Sequence, residues 1–331
     1  MGRFSGIVDT GTAAEMRLDR YAADRLGLLS RSQIKNRSTE VKLNGKTVKL
    51  SKQVRSGDSL ELVWLDSVPQ TLEPENIPLD ILYEDSRVIV VNKAAGMVVH
   101  PGAGNHGGTL ANALLYRRLR KNLLCGETPG RDGQALRTGI VHRLDKDTSG
   151  VIIAAWDDSA LAFLAAQFKA GKTKKRYAAL VTGTPENAEG IITGFVIRDR
   201  ADRKKFTVTD VPGKGKAART RYRVIRSWGA YSLLLLRPKT GRTHQLRVHL
   251  KSIGHPVAGD PIYGYKEKPS VLVHKGLMLH AYSLEITLPG PLPGALRREG
   301  APLPDERPAL FKAPLPLSFR ENIAALKRRF P

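Results

Sequence analysis

Gly139-Ile140-Val141-His142-Arg143-Leu144-Asp145-Lys146-Asp147-Thr148-Ser149-Gly150 runs from an apolar, β-prone lead-in into a tight polar segment. A second apolar run follows at once, Val151-Ile152-Ile153-Ala154-Ala155-Trp156. The pattern predicts two strands joined by a polar loop, which would hold Asp145 on a rigid scaffold and leave it open to a bound molecule. Chemistry concentrates on loops held in this way. By residue type alone Asp145 could be a nucleophile, a general base, a metal ligand or one half of a structural ion pair. Metal ligation would want more carboxylates or histidines close by, and Lys146 separates Asp145 from its one acidic neighbour, Asp147. The phrase also echoes a kinase catalytic loop, but Leu144 precedes the aspartate and no Asp-Phe-Gly occurs in the chain, so that reading fails.

Composition narrows the classes further. The 331 residues suffice for one large domain and a small one, and a hydrophobic content of 41% supports a real core. The 54 Lys and Arg against 31 Asp and Glu leave a formal charge of +23, an excess that favours a polyanionic partner such as nucleic acid. No apolar run approaches the roughly 18 residues of a membrane span. Met1 to Glu15 lacks the apolar block of a signal peptide, so a cytoplasmic location and no membrane partner are expected. Cys125 is the one cysteine, which excludes an internal disulfide and a cysteine-based zinc site.

Along the chain, residues 1–15 read as a flexible tail. Leu18, Tyr21, Ala22 and Leu26 then lie at helical spacing, with Gly27 as a stop. Ser30-Arg31-Ser32-Gln33 has the form of a capping box opening a second helix. Within Val41 to Val48, Asn44-Gly45 is the favoured pair for a type I′ hairpin, because both central residues need positive φ. Gly57-Asp58 precedes a strand from Leu60 to Trp64. Residues 16–66 therefore form a compact basic module, with eleven Lys or Arg against five Asp or Glu between Met16 and Leu65.

Residues 67–80, with Pro69, Pro74 and Pro78, read as a linker, and 81–331 as the main domain. The main domain opens on the buried-strand run Val88 to Lys93. Thr109 can cap a helix carrying Leu110, Ala113 and Leu114. Leu161, Leu164, Ala165 and Phe168 mark an amphipathic helix closed by Gly171. Strands are predicted at Arg176–Val181, Arg221–Ile225 and Tyr231–Leu236, and the proline-rich stretch from Gly290 to Pro316 is expected to wrap the surface. Strands and helices mix without a regular βαβ period, so the class is α+β rather than doubly wound.

His142-Arg143-Leu144-Asp145 followed by Asp147-Thr148-Ser149-Gly150 resembles the catalytic motif of pseudouridine synthases of the RluA/RluD type. Three further stretches are similar to that family in the same order: Lys175-Arg176-Tyr177-Ala178-Ala179-Leu180-Val181, Pro238 to His249 with its Gly241-Arg242-Thr243-His244-Gln245, and Val257 to Gly264 with Leu279-His280-Ala281 downstream. Residues 16–66 resemble a small RNA-binding domain shared by a ribosomal protein and tyrosyl-tRNA synthetases, through Arg17-Leu18-Asp19, Ser30-Arg31-Ser32 and Val41 to Gly45. Lys35 to Glu40 departs from that pattern, which leaves the end of the second helix open.

The resemblance implies a large mixed, mainly antiparallel sheet flanked by helices, with a central cleft. It also implies isomerisation of uridine to pseudouridine in RNA, without metal or cofactor. Asp145 would be the essential carboxylate, whether it attacks the sugar carbon or the base or abstracts the sugar proton. Arg242 would pair with Asp145 and hold it ionised, as a neighbouring cation does. Tyr177 would lie against the base and can help remove its C5 proton. Leu246, one helical turn past Arg242, would floor the base pocket. Arg143 would occupy the space a flipped nucleotide vacates or support that nucleotide, while His142 reads as structural, its imidazole bonded to backbone. Arg17, Arg31, Lys174, Lys175 and Arg176 would meet the RNA backbone. Further basic groups, Arg198 to Lys205 and Lys214 to Arg226, fit phosphate tracking and a steep salt dependence. The expected partner is large-subunit ribosomal RNA, bound by a monomer. A non-catalytic RNA-binding or ribosome-assembly factor is the rival reading; it explains the charge but not the joint presence of Asp145, Tyr177 and Arg242.

Overall fold

The computed structural model describes every residue except 12–14, 30, 66–71, 103, 125–138, 200, 203–204, 266–271, 291–305 and 331. Ser30, Cys125, the first part of the expected linker, Arg200, Arg203, Lys204 and most of the proline-rich stretch lie outside the described residues. Contacts divide the chain into two compact units, Met1–Thr71 and Leu72–Pro331.

In the first unit, β1 (Gly2–Ile7) pairs antiparallel with β6 (Ser59–Trp64), and β6 pairs with β3 (Ser38–Leu43) and β3 with β4 (Lys46–Thr47). A smaller pair joins β2 (Met16–Arg17) to β5 (Gln53–Val54). Asn44 and Gly45 take φ of 51° and 74°, as the type I′ turn requires. Helix α1 (Leu18–Arg20) continues into a π-helical turn at Tyr21–Arg25, and α2 (Arg31–Arg37) passes directly into β3. Leu18, Ile34, Val54, Leu60 and Leu62 are fully buried at the centre.

Gly2 to Ile7 is thus a strand, not the start of a flexible tail. The reason it escapes a pattern search is that only Phe4 and Ile7 are large and apolar, and Ile7 is exposed. The strand is held by its backbone ladder to β6 rather than by a buried side-chain face.

The second unit is built on a sheet in the order β12 (Phe206–Thr209), β11 (Glu189–Arg198), β13 (Lys216–Ser227), β14 (Tyr231–Pro238), β10 (Lys174–Thr182), β15 (Leu279–Pro289), β9 (Ser149–Ala155), β8 (Val88–Lys93), β7 (Asp80–Glu84), with β16 (Glu306–Lys312) also on β15. Only the β15–β9 pairing is parallel among the described ladders. The class is therefore α+β with a mixed, mainly antiparallel sheet, as the sequence predicts.

All seven residues of β9 are buried, because helices cover both faces there. Val151, Ile153 and Ala155 pack with Leu164 of α4 (Asp158–Lys169), whereas Ile152 and Ala154 pack with Leu110 and Leu114 of α3 (Leu110–Leu124). Asp157 caps α4 by accepting the Ala160 N–H at 2.9 Å. Thr109 Oγ1 and Asn112 bond reciprocally at the start of α3, so the expected cap is present. Helix α5 (Gln245–Ser252) packs on β11, β12 and β13, and α6 (Leu317–Arg329) adds Phe319 and Leu326 to the core beside it. Among the described residues no helix is long and apolar enough to cross a membrane.

Two expectations need correction. Residues 139–141 do not form a strand; Ile140 makes a single bridge to Ala154, and Gly139, at φ 61°, sits so close that an added Cβ would lie 1.8 Å from Ala155 O. The end of the expected linker is tied down, since Asn112 Nδ2 donates to Glu73 O at 2.7 Å and the Glu75 carboxylate accepts the Gly108 N–H at 2.9 Å. Pro74 and Pro78 suggest a loose stretch, but polar partners contributed by distant residues hold Glu73 and Glu75.

Candidate active site

The polar loop after Gly139 ends where β9 enters the sheet, and the sheet fixes it from below. Gly150 lies beside β15 at φ 114°, and an added Cβ would meet the Ala281 backbone at 2.3 Å. Ser149 Oγ donates to His280 Nδ1 at 2.8 Å, while His280 Nε2 reaches Ala313 O at 3.3 Å; burial lowers the His280 pKa, in keeping with a neutral ring. Under the loop, Lys93 is 1% exposed and donates its three ammonium protons to the carbonyls of Ala94, Met97 and Lys146, at 2.8, 2.8 and 2.9 Å. Burial pulls Lys93 down to about 8, with Asp147 and Asp145 opposing, so it is still an ammonium at pH 7. The Lys146 carbonyl also accepts the Gly96 N–H, and the Asp145 carbonyl the Thr148 N–H. Asp145 is thus flanked by pinned peptides.

His142 is structural, as expected. Its Nε2 accepts the Ile153 N–H at 3.0 Å and its ring stacks on Phe168 at 4.5 Å. Burial, aided by the charge of Lys175, holds it at about 3, and a nitrogen that accepts an N–H must be unprotonated.

The Asp145 side chain faces a cavity of about 650 Å³ in the second unit, bounded by the 141–148 loop, the end of α4, the start of β10 and residues 238–247. Alternation along β10 sends Lys175 and Tyr177 into the cavity; Lys174 and Arg176 turn away and pair with Glu285. Of the three cations expected on this strand, Lys175 alone lines the cavity. Its pKa is lowered by burial, and its ammonium lies over the Phe168 ring at 5.9 Å. Burial, with Asp145 adding, raises the Tyr177 phenol, so the ring faces the cavity as a neutral phenol. Arg143 is exposed at the mouth, and Leu246, 7% exposed, forms part of the wall.

Among the described residues Arg242 makes no ion pair with Asp145. Arg242 lines the cavity but is exposed, and its Nε donates to Ala217 O at 3.1 Å. Helix α5 begins only at Gln245, so the assumed helical turn from Arg242 to Leu246 does not exist. His244 precedes the helix in the left-handed region at φ 55°, and the Gln245 Oε1 accepts the Arg242 N–H at 3.0 Å and the Thr240 hydroxyl at 2.7 Å.

The arginine that faces Asp145 is Arg247, with Nη1 3.4 Å from Oδ2. Its Nε and Nη2 donate to the two oxygens of Asp260, each at 2.7 Å, a bidentate pair that is nearly fully buried. Burial alone would raise the Asp260 carboxyl; Arg247 and the N–H groups of Tyr263 and Ile262 hold it below the usual range. His244 Nδ1 meets the Tyr263 hydroxyl at 2.8 Å, and that hydroxyl accepts the Phe206 N–H at 2.9 Å. Arg247 and Asp260 both lie inside the stretches that carry the family likeness; the signal that could have found them is a buried-charge pair, which sequence alone cannot display.

Arg17 and Arg31, in the first unit, converge on one carboxylate. Both donate to Asp19, which the Arg17 bond, with Arg31 adding, holds at about 2. Both guanidinium groups remain about half exposed, at 45% and 53%.

The arrangement supplies a carboxylate, an aromatic wall, an apolar wall and a rim of cations. Comparison with known proteins fits that chemistry. Residues 87–252 match the family model described as RNA pseudouridylate synthase. Ribosomal large subunit pseudouridine synthase D of Borreliella burgdorferi is 46% identical over 277 residues, covering 82% of each chain. The protein of the same name from Zymomonas mobilis is 40% identical over 303 residues, 89% of this chain and 93% of that one. Among solved structures, human RNA pseudouridylate synthase domain containing 4 superposes with a TM-score of 0.55 at 25% identity, covering 75% of this chain and 93% of the other.

Proposed function

Because this chain belongs to the RNA pseudouridylate synthase family, and is an isomerase of uridine in RNA, we propose that it acts on large-subunit ribosomal RNA with Asp145 as the essential carboxylate. The observation that carries the reading is Asp145 lining one cavity with Tyr177 and Leu246, its carboxylate 3.4 Å from Arg247. A uracil reaches that carboxylate only after leaving its stack, at a cost of a few kcal/mol, which is lowest in a loop. Exposed Arg143 stands at the mouth, where it can fill the vacated stack or hold the turned-out nucleotide.

The reaction breaks the bond from N1 of the base to the sugar C1′ and joins C5 to the same carbon. N1 ends protonated, and C5 gives up its hydrogen as a proton. Asp145 serves this sequence whether it engages the sugar carbon, the base or the sugar proton. Arg247, fixed on Asp260, keeps the carboxylate aimed into the cavity. Tyr177 contributes its ring face and its hydroxyl, which can help relay the C5 proton to solvent. The name of the relatives at 46% and 40% identity supports the ribosomal substrate.

The test compares wild type with Asp145→Asn on in vitro transcribed, unmodified large-subunit RNA in EDTA, mapping pseudouridine chemically. Modification at discrete positions by wild type alone is expected. No modification by a folded wild type, on this RNA or any other ribosomal RNA, would overturn the reading.

A further inference from the structure

Strand β13 carries Arg219, Arg221 and Arg223 on one face, all exposed, while the intervening Ala218, Thr220 and Tyr222 are buried. Alternate residues of a strand stand about 7 Å apart, so the three guanidinium groups form an evenly spaced row. The adjacent strand adds a fourth: Arg237 of β14 is exposed and lies directly opposite Arg221 in the antiparallel register. Like charges at such a position sit with Cβ atoms about 5 Å apart and repel. One carboxylate answers them, Glu189 of β11, whose Oε2 accepts from Arg221 Nη2 at 3.0 Å. Arg219, Arg223 and Arg237 have no ion pair among the described residues. Exposed Ile191, which is the β11 partner of Arg221, gives the row an apolar border.

The row starts at the rim of the cavity. Arg219 N–H donates to Thr240 Oγ1 at 3.1 Å, and Arg219 O accepts the Lys239 N–H at 2.9 Å. Two residues back, Ala217 O accepts from Arg242. Lys239, Thr240 and Arg242 all line the cavity. From there the row runs away along the sheet. Its face is opposite the one that packs on α5, since buried Ala218 shares a core cluster with Val248 of that helix.

We propose that this row is a phosphate track: the RNA strand leaving the cavity crosses the Lys239–Arg242 rim and lays its backbone along Arg219, Arg221, Arg237 and Arg223. The occupant is a polyanion of regular charge spacing, which answers both the even interval of the row and the charges of Arg219, Arg223 and Arg237, which have no ion pair among the described residues. Guanidinium groups suit this because each offers a planar fork to a phosphate. The proposal rests on the reading of an RNA substrate in the cavity, and adds the path of the strand beyond it.

The test measures binding, not turnover. Affinity of the full chain for in vitro transcribed large-subunit RNA is followed against KCl for four proteins. These are wild type, R219Q/R221Q/R223Q/R237Q, R219K/R221K/R223K/R237K, and a control that loses four exposed cations elsewhere, R120Q/K312Q/K327Q/R328Q. Each lost phosphate contact should lower the slope of log K against log salt by about 0.7 to 0.9. The Gln variant of the row should therefore lose about 3 from the slope and bind at least about tenfold more weakly at low salt, the Lys variant should keep the slope, and the scattered control should lose less than 1. R221Q alone, expected to lose about 0.7 to 0.9, repeats the measurement on a chain with one change. An unchanged slope in both Gln variants of the row, or an equal loss in the scattered control, would overturn the track. Loss of slope in the row variant alongside a wild type that forms no pseudouridine would keep the track and reject the catalytic reading instead.

Discussion

Arg247 points Nη1 at Asp145 Oδ2 across 3.4 Å while its other two nitrogens stay locked on Asp260 at 2.7 Å. The two carboxylates are not equivalent partners. Asp260 takes the short bidentate contact and fixes the guanidinium plane; Asp145 receives the longer, directed one and remains available to a substrate. Asp260 therefore shapes the site without touching what enters it.

Arg247→Lys should lower kcat/KM about 100-fold or more, equivalent to about 2.7 kcal/mol of transition-state stabilisation, because an ammonium cannot fork onto Asp260 and also reach Asp145. Arg242→Ala, which removes an exposed side chain bonded to Ala217 O, should cost less than about tenfold, mainly in KM. Steady-state kinetics on the same RNA decide between them; the reverse ranking would restore Arg242 as the partner of Asp145.

Asp260→Asn should destabilise the fold by about 3 to 5 kcal/mol in urea titration, since it leaves the Arg247 charge buried and unpaired. At temperatures where the variant is still folded, kcat should fall more than KM changes, because Arg247 loses the anchor that aims it. A stable variant with wild-type kcat would show that Asp260 does not hold Arg247.

Lys93→Met takes the ammonium donor from the carbonyls of Ala94 and Met97 and leaves the Lys146 carbonyl with the Gly96 N–H alone. Each acceptor left unsatisfied costs about 1 to 3 kcal/mol, so the loss in urea titration should reach about 2 kcal/mol or more. Lys146 adjoins Asp145, so activity below the melting range should drop as well. Full activity in a folded variant would mean that the loop keeps its shape without that ammonium.

His249 is fully buried on α5, and neither ring nitrogen has a hydrogen-bond partner among the described residues. Burial lowers its pKa to about 4, against about 6.5 in an unfolded chain. Between those values the unfolded state binds the proton and the folded state does not, so stability falls as pH drops from about 6.5 to about 4. The slope from this residue is at most about 1.4 kcal/mol per pH unit. His142, held at about 3, adds a second contribution in the same direction. Urea titrations at pH 7.5, 6 and 5 should show the decline, and His249→Leu should flatten it by one histidine's share. An unaltered slope in that variant would place the pH dependence elsewhere.

Short-range chemistry was readable from the residues themselves. Asn44-Gly45 took the positive φ pair, Gly171 closed a helix, the Val151–Ala155 run became a strand buried on both faces, and His142 bonded to backbone. In each case neighbouring residues supply the cause: a turn that needs two small or permissive residues, a helical period, an unbroken apolar run. The four family-like stretches likewise marked Asp145, Tyr177 and Leu246 for one cavity.

Three-dimensional contact decided the rest. Gly2–Ile7 became a strand because β6, far along the chain, offers it a ladder. Arg221 came to face Arg237 because β13 and β14 pair in one register, and a one-residue slip would have turned both rows over. Arg247 meets Asp145 from a helix that starts only at Gln245, after His244 in the left-handed region. Where a helix begins, which strand is a neighbour and which carboxylate is buried with a cation are set by partners far away in the chain. Local spacing carries no record of them.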